Sequence, residues 1–130
     1  MKIIDTHCHL YADEFANDQK EMIERAREKG VIKFYLPAID SSVIDAMLQL
    51  EKDFPDECFA MMGVHPCSIK ADYKKELTIA EDWLAVRKFA AIGEIGLDFY
   101  WDKTFTAEQY DAFNIQMQWA LDLKMPIVIH

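Results

Sequence analysis

Pro126-Ile127-Val128-Ile129-His130 is a short apolar run that ends in a metal-ligand residue type. Near the start of the chain, Lys2–Thr6 (KIIDT) is followed at once by His7-Cys8-His9. Whether these two ends can meet decides the fold. Three further apolar runs lie between them, at Val31–Pro37 (VIKFYLP), Cys58–Val64 (CFAMMGV) and Phe89–Ile95 (FAAIGEI). Each is short and mostly free of polar alternation, which is how strands covered on both faces read.

Helical patterns separate the runs. Asp18–Lys29 places Met22, Ile23 and Ala26 on one side and ends at Gly30, a favourable residue just past a helix end. Ser41–Lys52 groups Ile44, Met47 and Leu48. Lys75–Lys88 groups Ala80, Trp83 and Leu84, and Arg87-Lys88 suits the negative end of its dipole. Thr106–Lys124 opens with a capping-box pattern, Thr106-x-x-Gln109. Tyr110, Phe113, Met117, Ala120 and Leu121 then follow at helical spacing. Pro126 forbids continuation.

Strict alternation of strand and helix predicts a parallel sheet with right-handed crossovers. The strands start at 2, 31, 58, 89 and 126, giving spacings of 29, 27, 31 and 37 residues. A (β/α)8 barrel of ~250 residues averages ~31 per unit. The chain of 130 residues therefore reads as about four and a half βα units of a TIM-type barrel, within a single domain over 1–130. A five-stranded doubly wound sheet, flavodoxin-like, is the competing α/β fold; it would be complete at this length, which alone favours it, so chemistry decides.

Composition bounds the function. Hydrophobic residues make up 52%, enough for a core, and the net charge is −9. That balance argues against broad binding to DNA or anionic membrane, but not against a local site whose positive charge comes from metal ions. Three cysteines without CxxC spacing do not form a disulfide framework. No apolar run approaches the ~18 residues of a membrane helix, and the N-terminus lacks a signal-peptide core. The expectation is a cytoplasmic protein with no membrane contact and no stable protein partner.

All four histidines, His7, His9, His65 and His130, fall at C-terminal ends of expected strands, as does Glu94. That is where α/β folds place their chemistry. In an extended segment, residues i and i+2 share a face, so His7 and His9 point one way and Cys8 the other. Two neutral imidazoles are good ligands for a divalent ion. Glu94 in an apolar strand is costly unless it is paired or metal-bound. Taken singly, His65 also reads as a loop histidine and His130 as a solvent-facing one. Their common placement favours one cluster. In a flat sheet in sequential order, strands one and five would lie ~19 Å apart, too far to share an ion with ~2 Å bonds. In a barrel they face each other across the lumen. Cys67 reads as structural. Phe99-Tyr100-Trp101 reads as packing beneath the loop after the fourth strand, with stacking on a base or sugar as the alternative.

At Asp5-Thr6-His7-Cys8-His9-Leu10, Gly63-Val64-His65-Pro66, Gly93-Glu94-Ile95-Gly96-Leu97-Asp98-Phe99-Tyr100 and Pro126–His130, the sequence resembles the TatD family of metal-dependent deoxyribonucleases, within the amidohydrolase superfamily. The resemblance implies two divalent ions, with His7 and His9 on one, His130 on the second and Glu94 bridging them as the catalytic carboxylate. It implies His65 on a substrate phosphate, and DNA, single-stranded or at its ends, as substrate. The implied reaction is phosphodiester hydrolysis by metal-activated water. By ligand softness the mixed His and carboxylate set suits Zn²⁺ or Mn²⁺ over Mg²⁺, whereas the family is commonly described as Mg²⁺-dependent, so all three ions stay open. The family's further His and Asp ligands, on strands six and eight, are expected beyond residue 130, which makes this sequence resemble the N-terminal half of a member. Two alternatives remain. One is another superfamily hydrolase acting on an amide or ester. Several of those bridge their metals with a carboxylated lysine at strand four, where this chain has Glu94. The other is an inactive half-barrel interaction module.

Overall fold

The computed structural model describes residues 1–130. Five strands, β1 (Ile3–Asp5), β2 (Val31–Pro37), β3 (Cys58–Met61), β4 (Ile92–Ile95) and β5 (Ile127–Ile129), alternate with four helices. These are α1 (Gln19–Glu28), α2 (Ile44–Asp53), α3 (Tyr73–Val86) and α4 (Thr106–Leu123). No helix is long and apolar enough to cross a membrane.

Every strand pairing is parallel, in the orders β1-β2-β3 and β4-β5. A bridge between Met62 and Ile92 joins the two ladders. There the Met62 N–H donates to the Ala91 carbonyl at 3.1 Å and the Gly93 N–H to the Met62 carbonyl at 2.9 Å. The running order is thus 1-2-3-4-5. A flavodoxin-like sheet runs 2-1-3-4-5, whereas a sequential parallel order belongs to a (β/α)8 barrel. The fold is part of such a barrel, and its sheet curls. Just past β2, Ala38 donates to the Gly93 carbonyl and accepts from the Glu94 N–H, each at 3.1 Å. Glycine permits this crowding. A Cβ at Gly63 would sit 2.9 Å from the Gly93 carbonyl carbon, and one at Gly93 would sit 2.7 Å from Val128 Cβ.

The main core joins β2 and β3 to α1–α3. Ile23, Phe34, Leu36, Met47, Leu50 and Leu77 are buried in it, each contributing roughly 1.5–3 kcal/mol. A smaller cluster of Ile92, Ile95 and Ala120 holds α4 to β4.

Two helices depart from the sequence pattern. α3 stops at Val86, and Arg87 is extended, so Arg87-Lys88 do not occupy its last turn. Arg87 instead pairs with Glu51 at 2.6 Å and lies 4.3 Å over the Phe89 ring. Those contacts exceed the few tenths of a kcal/mol that a helix end offers an exposed cation.

α4 begins at Thr106 as expected, but Phe105 is its N-cap and no side chain caps it. Gln109 does not reach back. Its Oε1 accepts the Asp98 N–H at 2.8 Å, and its Nε2 donates to the Asp98 carbonyl at 2.9 Å. About two turns later, Gln116 treats Val64 the same way, at 2.7 and 3.2 Å. The buried stripe is Gln109, Ala112, Gln116 and Ala120, while Tyr110 and Leu121 are exposed. Two amides act as strand surrogates for backbone beyond the strand tips, and that requirement rotates the helix away from its most apolar face.

Candidate functional site

Glu94, near the end of β4, is only 3% exposed. Its Oε2 lies 2.9 Å from His7 Nε2 and 3.3 Å from His9 Nε2. Its Oε1 lies 2.7 Å from His130 Nδ1 and 3.4 Å from His65 Nε2. The structure thus brings all five candidate residues together, and a single carboxylate touches side chains from beyond both β1 and β5. A flat sheet forbids that contact. The strand assigned to Lys2–Thr6 ends at Asp5, yet His7 and His9 still share a side, while Cys8 packs against the main core.

Neighbouring groups set the imidazole tautomers. The Tyr11 hydroxyl donates to the Pro37 carbonyl, and its oxygen lies 2.7 Å from His9 Nδ1. With its only proton committed, that oxygen accepts from Nδ1–H. His9 Nε2 therefore presents a lone pair toward Glu94. Burial pushes the Tyr11 phenol up, so it stays protonated. His65 is set the other way. The Cys67 backbone N–H donates to His65 Nδ1 at 3.0 Å, which leaves the proton of the neutral ring on Nε2 and makes that atom a donor.

Asp98 closes the far side. Its Oδ2 lies 2.9 Å from His130 Nε2 and accepts the Cys67 thiol at 3.3 Å. The Tyr100 backbone N–H, followed by His130, lowers the Asp98 carboxyl to about 2. Burial and then Asp98 push the Cys67 thiol up, which opposes a thiolate nucleophile. Burial would raise the Glu94 carboxyl, but hydrogen bonding from the surrounding imidazoles, His65 and His130 among them, outweighs it and holds it well below the usual carboxylate range. For His130, burial opposes the charge, and Asp98 and Glu94 outweigh burial to raise it.

The donor set fits a divalent cation. Every ion-pair partner of Glu94 is a histidine, and no Lys or Arg neutralises it. His7, His9 and Glu94 offer ligand atoms within 4.8 Å of one another. Polyhedra with bonds of ~2.1 Å have edges of about 3.0–3.4 Å, which matches the 2.9 and 3.3 Å separations found here. His65, Cys67 and His130 form a second such group, although the tautomer of His65 removes its Nε2 as a ligand.

The sequence pattern assigned no role to Tyr11, Asp98 or Gln116, and cast Gln109 as a capping-box residue instead of a clamp on Asp98. Tyr11 continues the two-residue spacing of His7 and His9, and Asp98 follows Glu94 by four, so both carried a signal. Gln116 carried none, since mid-helix amides ordinarily face water. Phe99 is partly buried against Tyr110, with ring centres 5.8 Å apart. Tyr100 and Trp101 are 82% and 78% exposed, so the expected packing beneath the loop holds for Phe99 alone.

Residues 4–130 match the family model described as TatD related DNase. The chain belongs to the TatD-related DNase family. It is 32% identical over 128 residues to a Bacillus subtilis protein described as the uncharacterized metal-dependent hydrolase YabD, covering 98% of this chain and 50% of that one. It is 32% identical to an Erwinia tasmaniensis protein named 3'-5' ssDNA/RNA exonuclease TatD, covering 98% and 49%. Among solved structures, the Escherichia coli TatD homologue YjjV superposes with a TM-score of 0.83 at 29% identity, over 98% of this chain and 50% of that chain. A TatD-family hydrolase from Entamoeba histolytica shares the fold, with a TM-score of 0.74 at 18% identity. The chain spans about half the length of the curated TatD relatives it matches.

Proposed function

We propose that this site belongs to a metal-dependent hydrolase that cleaves phosphodiester bonds at the ends of single-stranded DNA. The observation that carries the reading is the division of Glu94, with Oε2 on His7 and His9 and Oε1 on His130 and His65. A carboxylate divided in this way suits a bridge between two cations. His7 and His9 would hold one with Glu94, and His130 would hold the second. Bound divalent ions supply a lowered pKa for water and positive charge against a phosphate; Zn²⁺, Mn²⁺ and Mg²⁺ are the candidates.

The chain's own residues do the rest. Glu94 is the catalytic carboxylate that spaces the two ligand sets. His65, with its proton on Nε2, offers a hydrogen bond to a phosphate oxygen. Asp98 and Glu94 face both nitrogens of His130 and fix its ring. The protein charge of −9 leaves local capture of a strand end as the mode of binding, not tracking along a duplex. Among the relatives, the Erwinia protein's name points to single-stranded nucleic acid. Residues 1–130 would supply about four and a half units of one barrel domain. Three free thiols support a reducing setting, the cytoplasm, for it.

The test is hydrolysis of a 5'- or 3'-labelled single-stranded oligonucleotide by metal-stripped protein in which the barrel is completed, with each ion added back in turn. Metal-dependent shortening from one end, abolished in Glu94→Gln, is expected. Metal-dependent cleavage of amides or carboxylic esters with DNA untouched would overturn the reading.

A further inference from the structure

The loop between β4 and α4 projects two aromatic side chains into water beside the site. Tyr100 and Trp101 are the most exposed aromatic residues in the chain. Their ring centres lie 4.7 Å apart at 88°, an edge-to-face pair that leaves ring faces uncovered. Leaving two large rings in solvent forgoes the burial that their neighbour Phe99 obtains.

The loop that holds them is pinned. Asp98 Oδ1 accepts the Tyr100 N–H at 2.9 Å, and Gln109 clamps the Asp98 backbone on both sides. Asp102 Oδ1 accepts the Thr104 N–H at 2.8 Å, and Asp102 Oδ2 lies 3.3 Å from Lys70 Nζ. The backbone that carries the rings is thus held before any ligand arrives, which lowers the ordering cost of binding. The same Asp98 holds His130 Nε2 at 2.9 Å. Trp101 is three residues from Asp98, so their Cα atoms are at most ~11 Å apart. That span is one to two nucleotides of an extended strand.

We propose that Tyr100 and Trp101 form a stacking platform for a base of a single-stranded substrate, within one or two nucleotides of the phosphate at the metal site. The proposal rests on the nucleic-acid reading above and names where that substrate is gripped. An acidic protein has little backbone attraction to offer, so affinity must come from contacts that do not depend on charge. Stacking is such a contact, and it is sequence-tolerant because every base has a π face.

The experiment compares two ten-unit phosphorothioate strands, oligothymidylate and its abasic counterpart, binding to the protein with Mn²⁺ present. Affinity is read by anisotropy of an end label. Wild type is expected to prefer the base-bearing strand by about tenfold or more. Trp101→Ala should bring the two affinities together, and Trp101→Phe should restore most of the difference. Equal binding of both strands by wild type, or a preference untouched in Trp101→Ala, overturns the platform and leaves the nuclease reading standing. Binding of neither strand, with metal present, overturns both. If Trp101 is instead covered by other protein, Trp101→Ala would lower the melting temperature without changing the ratio of affinities, which also overturns the proposal.

Discussion

The Tyr11 hydroxyl lies 2.7 Å from His9 Nδ1 and spends its own proton on the Pro37 carbonyl. The phenol therefore fixes which nitrogen of His9 faces Glu94. Groups of this kind, one shell out from a ligand, are typically worth 10–100-fold in metal affinity. Tyr11→Phe is expected to weaken Mn²⁺ or Zn²⁺ binding by about that factor while the circular dichroism spectrum stays unchanged. Calorimetric titration of metal-stripped protein checks it. Unaltered affinity would mean that His9 needs no orienting partner.

His65 makes a different case, because the Cys67 N–H at 3.0 Å from Nδ1 turns Nε2 into a donor. His65→Ala should retain the metal content of wild type and lose about 10–150-fold in kcat/KM for an oligonucleotide, the range for a hydrogen bond to a charged group. His65→Asn, which keeps an N–H donor, should recover part of it. Metal analysis beside steady-state kinetics separates the roles. A parallel loss of metal would make His65 a ligand instead.

Protonation and metal compete for the same atoms. The Glu94 carboxyl is held below its ordinary value of 4.5, so its contribution to stability is present above that value and fades as pH falls through the depressed one. His130 is raised above 6.5, so its contribution is present below 6.5 and is lost as pH rises through the raised value. Metal-free protein should therefore be most stable between about pH 4.5 and 6.5, the ordinary values of the two groups. Above that window the melting temperature should fall, and added Mn²⁺ should raise it by more at each higher pH, because the ligands must be deprotonated. Thermal scans with EDTA and with Mn²⁺ across pH 4.5–8.5 check both slopes. A metal-induced rise that shrinks with pH would contradict the ligand assignment.

Where the sequence was legible, the reason was short apolar runs bounded by helical patterns. VIKFYLP and PIVIH read as strands because hydrophobic pressure leaves few other uses for such runs, and β2 matches its expected bounds. The site was legible because polar ligand types at strand tips are costly without a purpose, and Glu94 lies where that argument put it. What was hidden was backbone satisfaction. Gln109 looks like a capping-box residue and Gln116 like a solvent-facing position of an amphipathic helix, yet each is buried against the backbone of Asp98 or Val64. Only the coordinates show which stretch of chain past a strand tip lacks a hydrogen-bond partner. Arg87 was misplaced for a similar reason, since its partner Glu51 sits on another helix and no local pattern announces the pair.

The edges of the sheet set the last expectation. β1 pairs only with β2, and β5 pairs only with β4. A closed barrel has no such edges, and unprotected ones invite pairing with another chain. Along β5, Ile127 and Ile129 share the face opposite Val128 and are 40% and 55% exposed, while Leu121 of the adjoining α4 is 71% exposed. Covering each of these side chains is worth up to ~1.5–3 kcal/mol, against a net domain stability of only ~5–15 kcal/mol. Residues 1–130 on their own are therefore expected to self-associate through β5 and α4 rather than remain monomeric and active. Sedimentation velocity should show dimers or larger species at micromolar concentration. Ile129→Lys, which places a charge on the edge, should shift the distribution toward monomer. A monodisperse wild-type monomer that melts cooperatively and turns over DNA would show that the exposed edge and apolar face carry no such cost.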